Sequence, residues 1–241
     1  MMITPSFVSC LAEAGTRPYL PAIVKFRLLA FLILAATCFA QPEPTDLKTL
    51  EKKAADGDAE AQIALGLAYD QGRGGVTPDR RKAAEWFGKA AAQGSAEAQF
   101  NLGTMYDYGT GVPKNAKKAL ELFEKAASQG LADAQFNLAN MYADGRGTER
   151  DLAKAIEWYD KAGIQGMTRA QYNLGLLYAK GAKEEGLEPN SVKAYAWLSL
   201  AAADGDPAAK KLRDLIERKA NAEQMVVLKK FAEELKEKIK K

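Results

Sequence analysis

Histidine is missing from this 241-residue chain, and cysteine occurs only twice, as Cys10 and Cys38. Those gaps remove the common chemistry of enzyme sites. Without an imidazole or thiol in the body of the chain, the ordinary nucleophile–base pairs and zinc sites cannot be assembled. Charge of one sign is also scarce, with 34 basic residues against 31 acidic ones. The first forty residues hold Arg17, Lys25 and Arg27 against Glu13, so the excess beyond them falls from three positive charges to one. Such balance removes the whole-molecule electrostatic argument for nucleic acid. Long apolar runs are lacking as well: the run at residues 28–36 is far short of the roughly 20 residues that span a bilayer. Phosphate loops are absent too. Gly72-Arg73-Gly74, Gly109-Thr110-Gly111 and Gly145-Arg146-Gly147 follow helical patterns rather than strands, and no lysine-serine or lysine-threonine pair completes the motif.

What the first forty residues do contain is a leader pattern. Lys25 and Arg27 precede the apolar run, and Cys38-Phe39-Ala40 places small residues at −3 and −1 before Gln41. This order of charged region, apolar region and cleavage site predicts a signal peptide, and hence export to the periplasm or the medium. An uncleaved anchor and an acylated Cys38 are the alternatives. Residues 1–23, with Pro5, Pro18 and Pro21, do not fit the leader; a translation start at Val24 would give one of normal form. After cleavage both cysteines would be gone and no disulfide could form.

The body of the chain repeats itself. An alanine that opens an AEAQ-like motif recurs at Ala61, Ala98, Ala134 and Ala170, and a closing glycine at Gly94, Gly130, Gly166 and Gly205. The spacing is close to 36 residues throughout, apart from a longer fourth unit, and a period in that range signals a stacked-repeat architecture. Each unit reads as two helices. Ala98, Asn101, Leu102, Met105 and Tyr106 form one helical stripe, which Gly109 ends. Asp79, Asn115, Asp151 and Asn190 stand where the second helices begin, with side-chain oxygens suited to cap them. Ala119, Leu122, Phe123 and Ala126 make the apolar face of one such helix. Gly66, Gly103 and Gly175 lie inside the first helices at a cost of about 0.8–1.0 kcal/mol each relative to alanine. Their recurrence predicts close approach of two helix backbones. Tyr69, Tyr106, Tyr142 and Tyr178, with Trp86, Trp158 and Trp197, are the expected large core residues.

The pattern AxxxLGxxYxxGxG…KAxxWxxKAAxQG resembles the Sel-1-like repeat family, relatives of the tetratricopeptide repeat. The resemblance covers residues 58–205. It implies an all-α, right-handed α-solenoid of stacked helix-turn-helix units: repeats at 58–94, 95–130, 131–166 and 167–205. Ala139 stands where the family has glycine, Leu122 where it has tryptophan, and the fourth unit carries a longer loop at 181–189. Residues 41–57 read as a linker and a capping half-repeat, in which Leu50 takes the place of Phe87. Residues 206–241 read as capping helices, with Leu212, Leu215 and Ile216 inward on the first and Leu228, Phe231, Leu235 and Ile239 on the second. Asn221 and Gln224 suit a capping box. From residue 210 onward there are 11 basic and 6 acidic residues, a charge run that reads as a solvated cap or as a surface for an acidic partner.

The resemblance also implies function. In related arrays the first helices line a concave groove. The positions that would face it here include Glu60, Asp70, Glu97, Phe100, Asp107, Tyr108, Asp133, Phe136, Asp144 and Tyr172, with Arg169 and Lys180 at the far end. Packing of Phe100, Phe136 and Tyr172 between first helices is the competing account. The expected role is a monomeric, non-enzymatic scaffold that binds a peptide or protein partner, with no cofactor and no metal. An envelope accessory that binds glycan chains through the groove aromatics is the alternative. Cysteine-rich members of the family are described as acting on penicillins; this chain lacks the repeat cysteines that define them.

Overall fold

A computed structural model describes residues 47–182 and 186–239. The predicted leader, the whole of the linker at 41–45 and residues 183–185 of the longer loop lie outside the described residues. Those residues form eleven helices: α1 (Leu47–Ala55), α2 (Ala59–Gln71), α3 (Arg80–Ala92), α4 (Ala96–Tyr108), α5 (Ala116–Ser128), α6 (Ala132–Asp144), α7 (Leu152–Ile164), α8 (Thr168–Lys180), α9 (Ser191–Ala203), α10 (Pro207–Lys219) and α11 (Ala222–Ile239). Helices α2 to α10 all have 13 residues, about 20 Å each. Consecutive helices pack as α2 on α3, α4 on α5, α6 on α7 and α8 on α9, and each pair packs on the next. The result is the all-α solenoid that the repeats imply.

Local chemistry sets the boundaries. Asp79, Asn115, Asp151 and Asn190 each accept a backbone N–H from the first turn of the helix that follows. Asn221 and Gln224 bond reciprocally at the start of α11, as a capping box does. Gly72, Gly109 and Gly145 close α2, α4 and α6 with φ of 68°, 75° and 68°, in the left-handed region.

Alanines carry the close packing. Ala83, Ala119, Ala155 and Ala194 on the second helices, and Ala90, Ala126, Ala162 and Ala201 one face lower, are all fully or almost fully buried. Two of the three glycines within the first helices play a different part from the one expected. A Cβ on Gly66 or Gly103 would meet the ring of Phe87 or Phe123, and on Gly175 the side chain of Leu198. At Gly66 and Gly103 glycine thus makes room for a side chain of the partner helix, while at Gly175 the Leu198 backbone nitrogen, 3.3 Å from where a Cβ would stand, adds the backbone approach that the sequence predicts. Of the aromatics expected in the core, Trp197 and Tyr142 are buried. Trp86 and Trp158 are half-buried, each with a lysine, Lys89 or Lys161, 3.7 Å from the ring centroid. Tyr69, Tyr106, Tyr142 and Tyr178 each carry the lysine that opens the next helix, Lys82, Lys118, Lys154 and Lys193, at 4.9–5.2 Å. The rings cover the core with one face and hold a cation on the other, an interaction worth about 0.5–1 kcal/mol at exposed sites.

A glutamine ladder runs along one edge of the stack. Gln62, Gln99, Gln135 and Gln171 are buried, and each Nε2 donates to a carbonyl near the end of the preceding helix: Ala54, Ala91, Ala127 and Gly163. Their Oε1 atoms accept in turn from Gln93, Gln129 and Gln165 at 2.8–2.9 Å. The fourth rung is incomplete. Asp204 occupies the place of Gln165, a carboxylate has no hydrogen to give, and the Oε1 of Gln171 is buried without a partner.

The ends differ from one another. α1 packs on α2, as a half-repeat would. α10 continues the stack against α9, but α11 turns back onto α9 rather than pairing with α10. Leu228 and Leu235 are buried beneath it, with Phe231 and Ile239 packed on the core. Leu215, expected to point inward from α10, is instead 45% exposed.

Candidate functional site: the face of the first helices

Four residues at one register of successive first helices form an apolar column: Ile63, Phe100, Phe136 and Tyr172. Each lies over the large residue that its own second helix sends inward. Phe100 meets Phe123 with ring centroids 5.9 Å apart and Phe136 meets Tyr159 at 5.8 Å, both tilted. Ile63 packs on the Phe87 cluster and Tyr172 on the Leu198 cluster. All four remain half-exposed. Packing and presentation, posed as alternatives by the sequence, are therefore combined: one side of each ring completes the core while the other borders solvent.

The charged residues divide more sharply. Glu60 and Glu97 are exposed, in the first turns of α2 and α4. Asp70 pairs with Arg80 at 3.6 Å, and Asp133 with Arg169 at 3.8 Å. The Arg169 guanidinium also lies 5.0 Å from the Phe136 ring centroid, so it covers part of that ring. Asp144 meets Arg146 at 3.3 Å. Tyr108, at 73% exposure, is the most open large side chain on this face.

Asp107 departs from expectation. It is only 7% exposed, and both its carboxylate oxygens accept from Arg146 at 2.5–2.6 Å. Burial alone would lower the Arg146 pKa, but Asp107 and Asp144 outweigh it and hold it above the usual arginine value. Asp107 therefore cannot serve as a free carboxylate for a basic partner. It fastens the loop after α6 to α4 of the preceding repeat. The glycine that follows, Gly147, lies against the Ala116 carbonyl, and Gly111 lies likewise against that of Arg80. Arg146 and the ladder glutamines were the residues that sequence reasoning missed. For the glutamines the available signal was recurrence at fixed register, polar residues inside an otherwise apolar stripe. Arg146 lies in a loop and is matched at its register by Arg73 alone, with Thr110 and Ala182 in the other repeats, so no such signal marked it.

The groups on this face suit recognition. Tyr159 donates its hydroxyl proton to Asn140, and burial pushes its pKa up to about 12, beyond the range useful for proton transfer near neutrality. Among the described residues no cluster of His, Cys, Asp and Glu could hold a metal ion, and no helix is long and apolar enough to cross a membrane.

Comparison with known proteins agrees with this architecture. The Sel1 repeat model matches residues 59–95, 96–131, 132–167 and 168–206, more than half of the chain. Among solved structures, the chain is similar to a protective antigen present in uropathogenic Escherichia coli strains that displays an SLR fold. Identity is 37% and the TM-score 0.71, over 90% of this chain and 46% of that one. It is also similar to a Sel1 repeat protein from Oxalobacter formigenes, 31% identical with a TM-score of 0.61, over 79% of this chain and 72% of that one. The chain thus spans about half the length of the first of these. No curated protein matches it.

Proposed function

The chain belongs to the Sel1 repeat family, and from that premise we propose that it is a non-enzymatic scaffold gripping a peptide or protein segment along the concave face of its first helices. Sel1 repeats generally mediate protein–protein interaction. The observation that carries the finer reading is the half-exposed apolar column Ile63, Phe100, Phe136 and Tyr172, beside the open Tyr108 and the carboxylates of Glu60 and Glu97. Aromatic residues of this kind concentrate binding energy in few positions. The exposed carboxylates add salt-sensitive selection for basic residues of the partner.

Because Phe100 and Phe136 also complete the core, truncating them would confound binding with stability. The better test is Glu97→Lys together with Tyr108→Ser, both at exposed positions. Affinity capture with this variant is expected to lose the wild-type partners while the thermal melt stays near wild type. Undiminished capture would sink the reading; loss that is indifferent to salt would point to a glycan instead. The leader pattern adds that this scaffold works outside the cytoplasm. The exported protein is expected to have an intact mass that begins at Gln41, and a mass retaining residues 24–40 would contradict cleavage.

A further inference from the structure

The C-terminal end of the stack presents chemistry of the opposite sign. Because α11 folds back onto α9, α10 keeps two uncovered sides. On one, a cleft of about 560 Å³ opens between α10 and the start of α11. Val192, Ile216, Val227 and Leu228 supply apolar lining, and Lys219 and Gln224 supply polar groups. Val227 is 54% exposed there, and its neighbour Val226, outside the cleft lining, is 67% exposed. On the other side of α10, Leu215 lies open between Lys211 and Arg218.

Among the described residues, the cations at this end lack counter-charges. Lys180, Lys211, Arg218 and Lys219 are exposed, and none of them has an ion pair among the described residues. Lys180 and Lys219 close α8 and α10 at the same register, so they stand in line. The nearby carboxylates are engaged elsewhere: Asp214 by Lys210 and Arg213, and Glu217 by Arg213 and the Tyr195 hydroxyl. Glu188 and Glu223 sit exposed beside Pro189 and Gln224, two carboxylates against four cations among the described residues.

We propose that this end docks an acidic segment of another protein, an aliphatic side chain entering the cleft, its flanking carboxylates meeting Lys219 in the cleft lining and Lys180 at the same register of α8, and the segment continuing over Arg218 on the adjoining side of α10. Charge selects this occupant over a second copy of the chain. The opposite end of the stack presents Lys48, Lys52 and Lys53 around Asp56, so end-to-end association would bring cation against cation. This surface is separate from the face of the first helices over repeats one to three, and it takes a partner of opposite charge.

Fluorescence anisotropy of the purified protein with a labelled peptide, Glu-Asp-Leu-Glu-Asp-Leu-Leu, tests this. Binding is expected to be saturable and to weaken with salt. It should fall at least tenfold in an Arg218→Glu/Lys219→Glu variant and, separately, in Val227→Asp, each melting like wild type. A peptide with serine for every leucine should bind at least tenfold more weakly, and the Glu97→Lys/Tyr108→Ser variant should bind the original peptide normally. Equal binding by the charge-reversed variant or by the serine peptide would overturn the proposal. So would loss of binding in the Glu97→Lys/Tyr108→Ser variant, which would put the peptide on the other face. Capture of phosphatidylglycerol vesicles without any peptide binding would overturn it in favour of a lipid surface.

Discussion

Replacing Asp204 with glutamine should stabilise the protein, although the residue stands at the surface end of a helix. In three repeats a glutamine at this register donates to the buried Oε1 of its neighbour at 2.8–2.9 Å, and in the third Gln165 also reaches the Gly130 carbonyl. In the fourth, the Oε1 of Gln171 is buried with no partner. Leaving a buried acceptor unsatisfied costs about 1–3 kcal/mol. Ordering a glutamine side chain opposes the gain by up to about 2 kcal/mol, and the 3.4 Å contact of Asp204 with Thr168 is lost. A net gain near 1 kcal/mol follows, which for a chain of this size raises Tm by about 2–4 °C. A second effect acts in the same direction. Asp204 is the C-cap of α9, where a negative charge opposes the helix dipole by about 0.3–1 kcal/mol. A double-mutant cycle separates the two. In a Gln171→Leu background, only the dipole part should remain. If Asp204→Gln stabilises that background as much as wild type, the missing rung is not the cause. The reciprocal change, Gln165→Asp, should cost the third repeat a similar amount, and calorimetric melts of the four proteins of the cycle and of this variant decide the matter.

Gly111→Ala and Gly74→Ala form a matched pair. Both glycines have positive φ, 74° and 67°, but only Gly111 has a neighbouring backbone, that of Arg80, in the way of a Cβ. Denaturant unfolding should show Gly111→Ala costing about 1–3 kcal/mol more than Gly74→Ala; equal losses would deny the contact between repeats. Alkaline stability follows from the tyrosines. Burial, aided for Tyr142 by the Glu124 carboxylate, pushes Tyr142 and Tyr159 up to about 12 from 10.0. A proton held more tightly in the folded state gives stability that is intact below pH 10 and is lost as pH rises through about 12. Melts across that window should drop steeply, and less so in Tyr142→Phe and Tyr159→Phe; an unchanged slope in both would refute the assignment.

The period, the helix pairs and the caps were legible because each rests on local chemistry repeated four times. Asp79, Asn115, Asp151 and Asn190 needed no knowledge of tertiary structure to be read as caps. Other features depended on which helix meets which. The stripe on α11 is the same whether that helix lies on α10 or returns to α9, so Leu215 was assigned inward on a pattern that packing leaves open. Asp107 and Asp144 look alike in sequence, both near helix ends. Arg146, arriving from the next repeat, separates them by burying one and sharing itself with the other. For the residues expected to face a groove, the sequence could not show which carboxylates already have a partner, as Asp70, Asp107, Asp133 and Asp144 do. The glutamines were passed over because a polar side chain in a helix reads as surface until its carbonyl partner eight residues earlier is seen.

The fastening of Arg146 to Asp107 has a mechanical consequence. Glutamines tie consecutive repeats along one edge of the ribbon, and the loops after the first helices tie them along the other. A strip held on both edges resists twisting and bending alike. Between the third and fourth repeats, however, Ala182 stands in the place of Arg146 and Ala143 in the place of Asp107. Among the described residues that joint lacks this buried clasp, as does the joint between the first and second repeats, where Thr110 stands in the place of Arg146; the Arg169–Asp133 pair between the third and fourth repeats is exposed and weak. The buried clasp thus makes the middle joint of the array, between the second and third repeats, the one fastened by buried charge as well as by packing, like a strip riveted at its centre.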